Sequence, residues 1–311
     1  MTDLLGCVLV SLLLLMASVW IPFIGPFFSL LTPLPFLYYT SKLGPYEGVK
    51  IVGMTLLLVG ILSYVTGTFQ LVFFCLEFSL LGFFISEIYR RGFTFGFTIL
   101  WGTGAMLAIG AVLLLLIGLS KNMGPMELIH HHLQENLRAT IRVYEDTGLD
   151  QEKITQVEEW AKAVMETIMR IYPALLIIGT GFMVWANVVI SRFLFKIGNL
   201  KYPDFGPMDR WQAPDQIVWV LIAAGFALFL SISGVKWLAI NTLLVLVVIY
   251  FFHGLSILLF FLNKYHIALW IRIGIYVLIV FQWVFMVIIA LAGLFDQWID
   301  FRKIHKKSVS E

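Results

Sequence analysis

The chain has 311 residues, of which 60% are hydrophobic and only 13% are charged. A soluble domain carries about 25% charged and about 45–50% apolar residues, and the mean hydropathy of this chain is +0.92. With a net charge of only +2, the composition excludes disordered, fibrous, disulfide-rich secreted and nucleic-acid-binding proteins. It is typical of a polytopic membrane protein.

Apolar stretches follow one another along the chain, and their lengths suit transmembrane helices. About 20 helical residues are needed to cross about 30 Å of hydrocarbon. The sequence therefore predicts an all-α transmembrane bundle with about eight to nine apolar segments. The stretches lie near residues 3–21, 23–41, 47–66, 69–89, 93–119, 171–197, 215–233, 236–262 and 267–297.

A hydrophilic insert at residues 121–172 divides the chain into two membrane halves. It carries nine acidic and six basic residues, too many charges for a hydrocarbon environment. Apolar residues recur at spacings of three and four on both sides of Gly148, so we predict a central amphipathic helical hairpin. The predicted organisation is an N-terminal membrane half at 1–120, the insert, a C-terminal membrane half at 173–300 and a basic tail at 301–311.

The second apolar stretch is interrupted by four prolines, Pro22, Pro26, Pro33 and Pro35. It cannot form one straight helix, because proline lacks an amide hydrogen and collides with the preceding turn. A broken helix at membrane depth is tolerated where it is buried in protein or lines a cavity. Two interpretations remain, a kinked structural helix and part of a binding site of the kind found in transporters.

Glu77 lies near the middle of the stretch 69–89, too deep for its short side chain to reach the interface. A charged carboxylate there costs several kcal/mol, so we expect it to be neutral, paired or directed into a cavity. The functional interpretation is proton transfer or substrate contact. The structural one is a protonated acid that bonds to a neighbouring helix.

Three further polar side chains at membrane depth are candidate substrate contacts, namely Asn187, Asn241 and His253. Amides commonly join transmembrane helices by hydrogen bonds, and a buried histidine either satisfies a core hydrogen bond or transfers protons. Both interpretations stay open for each residue. The tentative substrate-binding set is therefore Glu77, Asn187, Asn241 and His253.

Catalytic, metal-binding and cofactor-binding patterns are absent from the sequence. It contains no P-loop, nucleophile elbow, HExxH or dinucleotide-binding motif. Consecutive side chains on a helix diverge by about 100°, so His130–His132 cannot converge on one metal ion. Cys7 and Cys75 lie in apolar stretches and are predicted to be small core residues. We expect no enzyme activity, no cofactor, no metal and no nucleic-acid partner.

The segments 34–39 and 43–48 resemble the S components of energy-coupling-factor vitamin transporters. In that family, a short proline-headed helix ends at a Gly-Pro-x-x-Gly turn that starts the next helix. Pro35, Gly44, Pro45 and Gly48 occupy the matching positions. Gly44 permits the tight turn, Pro45 suits a first helical position, and Gly48 leaves room for close packing. The resemblance implies a compact core that binds a small molecule and works with a separate ATPase module.

Four later segments, 172–176, 211–214, 241–244 and 250–255, are similar to the YybS-like family of bacterial membrane proteins. Together with the insert, this likeness covers most of the chain. The family brings no established activity. The predicted location is the cell (plasma or inner) membrane, with multiple passes through the lipid bilayer.

Two functions remain open on the sequence. The first is a substrate-binding or transport-type membrane protein with a core like that of the S components. The second is a non-transporting scaffold or regulator that acts on a protein partner through the hairpin at 121–172. A fold like that of the S components also resembles a cell-shape membrane protein that acts through partners.

Overall fold

The computed structural model of the chain describes residues 2–21, 24–146 and 151–302, and every regular element in these ranges is helical. The helices before the insert are α1 (Thr2–Trp20), α2 (Gly25–Leu31), α3 (Pro33–Leu43), α4 (Pro45–Thr66), α5 (Gln70–Arg90) and α6 (Phe95–Lys121). The later helices are α7 (Pro125–Asp146), α8 (Gln151–Ile197), a 3-10 turn (Met208–Arg210), α9 (Ile217–Ala227), α10 (Ser233–Lys264), α11 (Leu269–Phe281) and α12 (Trp283–Ile299).

Five described helices are long and apolar enough to cross a membrane. They are Pro45–Thr66, Gln70–Arg90, Phe95–Lys121, Thr155–Ile197 and Ser233–Lys264. A sixth span results if α11 and α12 count as one, although the chain bends by 102° between them. The all-helical membrane architecture is therefore confirmed.

The predicted number of eight to nine segments is too high, because hydropathy counts apolar residues without regard to helix continuity. The stretch 23–41 is split between α2 and α3, which have 7 and 11 residues. The apolar helices Asp3–Ser18 and Ile217–Ala227 are also short. At 1.5 Å per residue, α2, α3 and Ile217–Ala227 are each too short to cross about 30 Å of hydrocarbon.

Proline is the first residue of three of the described helices. Helices α3, α4 and α7 each begin with a proline, at Pro33, Pro45 and Pro125. The first helical amide has no partner within the helix, and the fixed φ of proline suits this position. The same residue type therefore starts helices here and interrupts the apolar stretch at 23–41.

The chain forms two compact units. Unit 1 comprises Met1–Met165 and Gly179–Asp204, and unit 2 comprises Glu166–Ile178 and Phe205–Glu311. The continuous helix α8 therefore supplies residues to both units, and residue 172 is not a helix boundary. Proline 173 lies inside this helix.

In unit 1, α3 is the central helix and packs against α1, α4 and α5. Its side chains Leu34, Phe36 and Leu37 are buried. A Cβ atom at Gly82 of α5 would meet the Pro33 carbonyl oxygen and lie 2.7 Å from Phe36 Cβ. The second half of the proline-broken segment is thus packed in the interior of unit 1.

In unit 2, α10 and α12 form the most extensive helix pair. A Cβ atom at Gly254 would meet the Ile289 carbonyl oxygen, and one at Gly293 would meet the Tyr250 carbonyl oxygen. Small residues permit such close backbone approach in membrane helices. The 3-10 turn and α9 also pack on α10.

Candidate functional site

Glu77 projects from α5 toward α6. Its Oε1 atom is 3.0 Å from the position that a Cβ atom would take at Gly110. The side chain is half-buried, and no hydrogen-bond partner for its carboxyl group occurs among the described residues. The missing side chain at Gly110 therefore leaves the space that the Glu77 carboxyl group occupies.

Asn187 lies on α8 in unit 1 and is fully buried. Its Nδ2 atom donates to the carbonyl oxygens of Leu30 and Met183, both at 2.8 Å. Leu30 belongs to the last turn of α2, where carbonyls lack partners within the helix. The amide therefore binds the backbone at the break between α2 and α3. Its Oδ1 atom is buried and has no partner among the described residues.

Asn241 lies on α10 in unit 2 and inserts into the backbone of α8 at Pro173. The Asn241 Oδ1 atom accepts a hydrogen bond from the Ala174 amide at 2.9 Å. Its Nδ2 atom donates to the carbonyl oxygens of Arg170 and Trp237, both at 2.8 Å. In a regular helix the Ala174 amide would donate to the Arg170 carbonyl directly. Asn241 therefore replaces one backbone hydrogen bond with two of its own.

His253 lies on α10 in a buried ionic cluster with Asp296 of α12 and Arg302. These three residues are 1%, 1% and 6% exposed. The Asp296 Oδ2 atom is 2.9 Å from Arg302 Nη2 and 3.1 Å from His253 Nε2. The Asp296 Oδ1 atom accepts a hydrogen bond from the Phe301 amide at 2.8 Å. The Arg302 guanidinium and the Phe301 amide thus donate to the carboxylate, and Arg302 balances its charge.

His253 Nε2 has two possible partners. It lies 3.1 Å from Asp296 Oδ2 and 3.0 Å from Arg302 Nη2. With the hydrogen on Nε2 the ring donates to Asp296, and with the hydrogen on Nδ1 the Nε2 lone pair accepts from Arg302. In both tautomers Nδ1 is buried and has no partner in the described residues.

The cluster also fixes the segment around the 3-10 turn. Arg302 Nη1 donates to the carbonyl oxygens of Asp209 and Trp211, at 2.9 and 3.1 Å. The Ser256 hydroxyl donates to the carbonyl oxygens of Met208 and Trp211, at 2.9 and 2.8 Å. The ring of Trp211 meets that of His253 edge to face, with centroids 6.2 Å apart. One side-chain cluster therefore holds residues 208–211 on α10 and α12.

A second arginine, Arg272, is linked to Asp209 through Asn263. Arg272 Nη1 donates to Asn263 Oδ1 at 2.8 Å, and Asn263 Nδ2 donates to Asp209 Oδ2 at 2.9 Å. The other Arg272 donors reach the carbonyl oxygens of Leu262 and Ile267. Arg272 thus binds carbonyls at the end of α10 and just after it, and this group of residues carries two positive and two negative charges.

Three of the four residues named from the sequence lie at the junction of α3 and α4, and the fourth, Pro35, lies near the start of α3. Pro35 is buried in the first turns of α3, and Gly44 has φ +101°. Pro45 is the first residue of α4. A Cβ atom at Gly48 would lie 2.6 Å from the Thr40 methyl carbon and 3.2 Å from a Phe83 ring carbon. The positive φ angle favours glycine at position 44, and the close packing favours glycine at position 48.

The sequence profile of a family described as "Predicted membrane protein (DUF2232)" matches residues 9–297. The chain belongs to this family. No curated protein and no solved structure matches it. Family membership and the apolar helices together identify an integral, multi-pass membrane protein.

The four proposed substrate contacts are divided between the two units. Glu77 and Asn187 belong to unit 1, and Asn241 and His253 belong to unit 2. Asn241 and His253 are twelve positions apart on α10, about 18 Å along the helix axis. Their contact with a substrate stays a prediction.

Sequence reasoning missed the partners of His253. Asp296 is an acid in an otherwise apolar stretch, the same signal that singled out Glu77. Arg302 was assigned to the basic tail. In the histidine triplet, His131 and His132 both approach Glu135, at 3.4 and 3.5 Å. No set of three or more metal-binding side chains occurs in the described ranges.

Proposed function

We propose that this DUF2232 protein is a substrate-binding, transport-type protein of the cell membrane, with a core like that of transporter S components. The site is the break between α2 and α3 in unit 1. The observation that carries the proposal is the buried Asn187 Oδ1 atom, which has no partner among the described residues. A buried acceptor without a donor costs about 1–3 kcal/mol, and a ligand that donates a hydrogen bond there offsets this cost.

The position of Asn187 supports this proposal. Broken helices and free backbone groups form the substrate sites of many transporters, and the Asn187 amide already binds the last turn of α2. Backbone at a break is tolerated at membrane depth where it is enclosed by protein. Glu77 is the second candidate contact in this unit, because its carboxyl group has no partner within the described chain.

In this proposal the protein has no enzymatic activity of its own and needs a separate ATPase module to move its ligand. The need for a separate module is part of the proposal, since the sequence contains no nucleotide-binding motif. The ligand is a small molecule, and neither a cofactor nor a metal ion is required.

Native mass spectrometry of the detergent-purified protein tests the proposal. We expect the wild type to retain a small molecule and Asn187→Leu to lose it. Ser191→Ala is the matched control, since Ser191 lies one turn further along α8 and its hydroxyl bonds to Tyr89 at 2.8 Å. The control removes a buried hydrogen bond and leaves Asn187 intact. A ligand-free wild type, or equal retention by wild type and Asn187→Leu, refutes the proposed function.

The second candidate function is a membrane scaffold or regulator that binds a protein through the insert at 121–172. The observation that favours it is Trp160, which is 69% exposed on the polar part of α8. Exposed tryptophans often contribute strongly to protein interfaces. A stoichiometric protein partner without a small molecule, lost in Trp160→Ala, would support this function in place of transport.

The side of the membrane that the insert faces is accessible to labelling. Glu135 and Lys162 are exposed on α7 and α8, and both native cysteines are buried. Cysteines introduced at these two positions should react with an impermeant maleimide from the same side of the membrane. Protection of both positions from both sides would exclude a water-exposed insert.

A further inference from the structure

Several charged helix ends meet at one end of unit 1. Lys42, in the last turn of α3, pairs with Asp3 at the start of α1, with 2.8 Å between Nζ and Oδ1. Arg90, the last residue of α5, donates from Nη2 to the Thr40 carbonyl oxygen of α3 at 2.7 Å. The start of α1 and the ends of α3 and α5 therefore lie side by side.

The end of α8 belongs to the same end of unit 1. The hydroxyl groups of Tyr89 on α5 and Ser191 on α8 are hydrogen-bonded at 2.8 Å. The rings of Tyr38 on α3 and Phe195 on α8 meet edge to face, with centroids 6.2 Å apart. The last two turns of α8 are thus fixed beside the ends of α3 and α5.

The segment that follows α8 turns back along this helix. Asn199 has φ +52°, and the Tyr202 hydroxyl donates to the Val188 carbonyl oxygen at 2.8 Å. In an α-helix that carbonyl belongs to the turn that leads to Arg192. Burial raises the pKa of Tyr202 to about 12, and the charge of Arg192 acts on it in the opposite direction. Lys201, the residue before Tyr202, is thereby brought close to the turn that carries Arg192.

Positive charge is in excess at this end of unit 1. Three ion pairs, at 2.8, 2.7 and 3.0 Å, are Lys42–Asp3, Lys50–Glu47 and Arg90–Glu87. Four more exposed bases form no ion pair within the described chain, namely Arg91, Arg192, Lys196 and Lys201. Arg192 and Lys196 lie one turn apart on α8, where like charges repel. One further acid, Asp204, follows in the same segment, so four bases against one acid leave an excess of three positive charges.

An apolar row runs beside these bases. Phe193 and Ile197 follow Arg192 and Lys196 directly in the sequence and are 66% and 65% exposed. They are also one turn apart, so the end of α8 carries a basic row next to an apolar row. An anionic phospholipid has this same pair of properties, a charged phosphate joined to acyl chains. A free anion or an acidic protein segment would leave the apolar row unexplained.

We propose that Arg192, Lys196 and Lys201 bind the phosphate headgroup of an anionic phospholipid, whose acyl chains lie along Phe193 and Ile197. Arginine binds phosphate oxygens through two parallel hydrogen bonds, and basic groups at the ends of membrane helices attract anionic lipids. The bound phosphate supplies the counterion that the described residues lack. The site uses no atom of Asn187 and is independent of the proposed substrate.

Native mass spectrometry of the full-length protein in detergent, titrated with phosphatidylglycerol or phosphatidylcholine of identical acyl chains, tests this inference. Each basic residue near a membrane surface contributes a factor of about five in affinity. We therefore expect phosphatidylglycerol to bind about a hundredfold more tightly than phosphatidylcholine. The triple variant Arg192→Gln, Lys196→Gln, Lys201→Gln should lose this preference.

The matched control is Lys121→Gln, Lys236→Gln, Lys264→Gln, which removes three exposed positive charges elsewhere. It should bind phosphatidylglycerol as the wild type does, and so should Asn187→Leu. If the first triple variant does not fold, Lys196→Gln, Lys201→Gln alone should weaken binding about thirtyfold.

Three results would overturn the inference. Equal affinity of the wild type for the two lipids would mean that the headgroup charge is not recognised. Equal losses in the two triple variants would mean that only the total charge matters. Displacement of the lipid by an equal concentration of soluble glycerol phosphate would mean that the bases bind a free phosphate and that the acyl chains contribute nothing.

Discussion

Two asparagines bind helix backbone close to a proline in this protein, and their hydrogen bonds differ. Asn187 binds the last turn of α2, the helix that ends before Pro33. Asn241 binds α8 at Pro173. Each amide donates to a carbonyl of the interrupted helix and to the carbonyl four residues earlier in its own helix. Only Asn241 also has a donor for its Oδ1 atom. The Oδ1 atom of Asn187 is left without one.

This difference separates a structural amide from a candidate binding amide. Both Nδ2 hydrogens of Asn241 and one lone pair of its Oδ1 atom bond to the protein backbone, so the fold accounts for this amide without a substrate. The Oδ1 atom of Asn187 has no donor among the described residues and can accept a hydrogen bond from a ligand. Both residues are asparagines in apolar stretches, and the distinction becomes visible only when their partners are known.

Asn241→Leu should have the largest effect on stability among the changes that probe this comparison. It leaves the buried Ala174 amide and the Arg170 carbonyl without partners, at a cost of about 2–4 kcal/mol. Chemical unfolding in detergent measures the change. Thr242→Val is the control, because the Thr242 hydroxyl bonds only within α10, to Leu238. Adding Pro173→Ala to Asn241→Leu should restore part of the loss, since the Ala174 amide can then return to Arg170; no recovery would argue against the bridging role.

Gly48→Leu probes a third helix end, the junction of α3 and α4 at Gly44. At Gly44 the backbone bonds to itself, from Gly44 to Thr40 and from Gly48 to Gly44. The added side chain collides with Thr40 and Phe83, so we expect a loss of about 1–3 kcal/mol. Gly53→Leu in the same helix is the control, because no atom lies within 4 Å of a Cβ atom there. Equal melting temperatures for the two variants would contradict the close packing at Gly48.

Asn187→Leu should cost less than Asn241→Leu, about 1 kcal/mol in the unfolding free energy. It leaves the Leu30 carbonyl unpaired, but it also removes the unpaired Oδ1 atom. The same detergent unfolding assay compares the two variants directly. A loss as large as that of Asn241→Leu would mean that Oδ1 has a donor after all, and the proposed ligand contact would fail.

Glu77→Gln should have the smallest effect, within about 0.5 kcal/mol, because the amide has the same shape and no bond in the described chain is lost. The purified variant should unfold at the wild-type denaturant concentration. Retention of ligand in native mass spectrometry would then assign Glu77 to packing, and loss of ligand would assign it to binding. Failure of the variant to fold would contradict the neutral, unpaired carboxyl group on which this expectation rests.

The sequence is most informative where the signal is local. Composition identifies the membrane class, and glycine and proline locate the end of α3 and the start of α4 at residues 44 and 45. Hydropathy fails where continuity matters, as in α9, whose apolar stretch includes only 11 helical residues. Helix α8 continues past residue 172, and Asn241, 67 positions away, bonds to the α8 backbone next to Pro173.

The candidate site depends even more on contacts between distant positions. The partners Asp296 and Arg302 lie 43 and 49 positions from His253, and no short motif links them. Asn187 and Leu30 are 157 positions apart. Residue type and depth single out the side chains that need partners, but only the fold determines which partners they find.

The division of α8 between the two units has a consequence for biosynthesis. Unit 1 is complete only after residue 204 has left the ribosome, and residues 166–178 of unit 2 precede that point. Asn241 is synthesised later still, so the nascent α8 contains an unpaired amide and carbonyl at Pro173 until α10 arrives. A truncated gene that stops between residues 204 and 241 would yield a chain in which this defect is permanent, and such fragments should be substrates for membrane proteases.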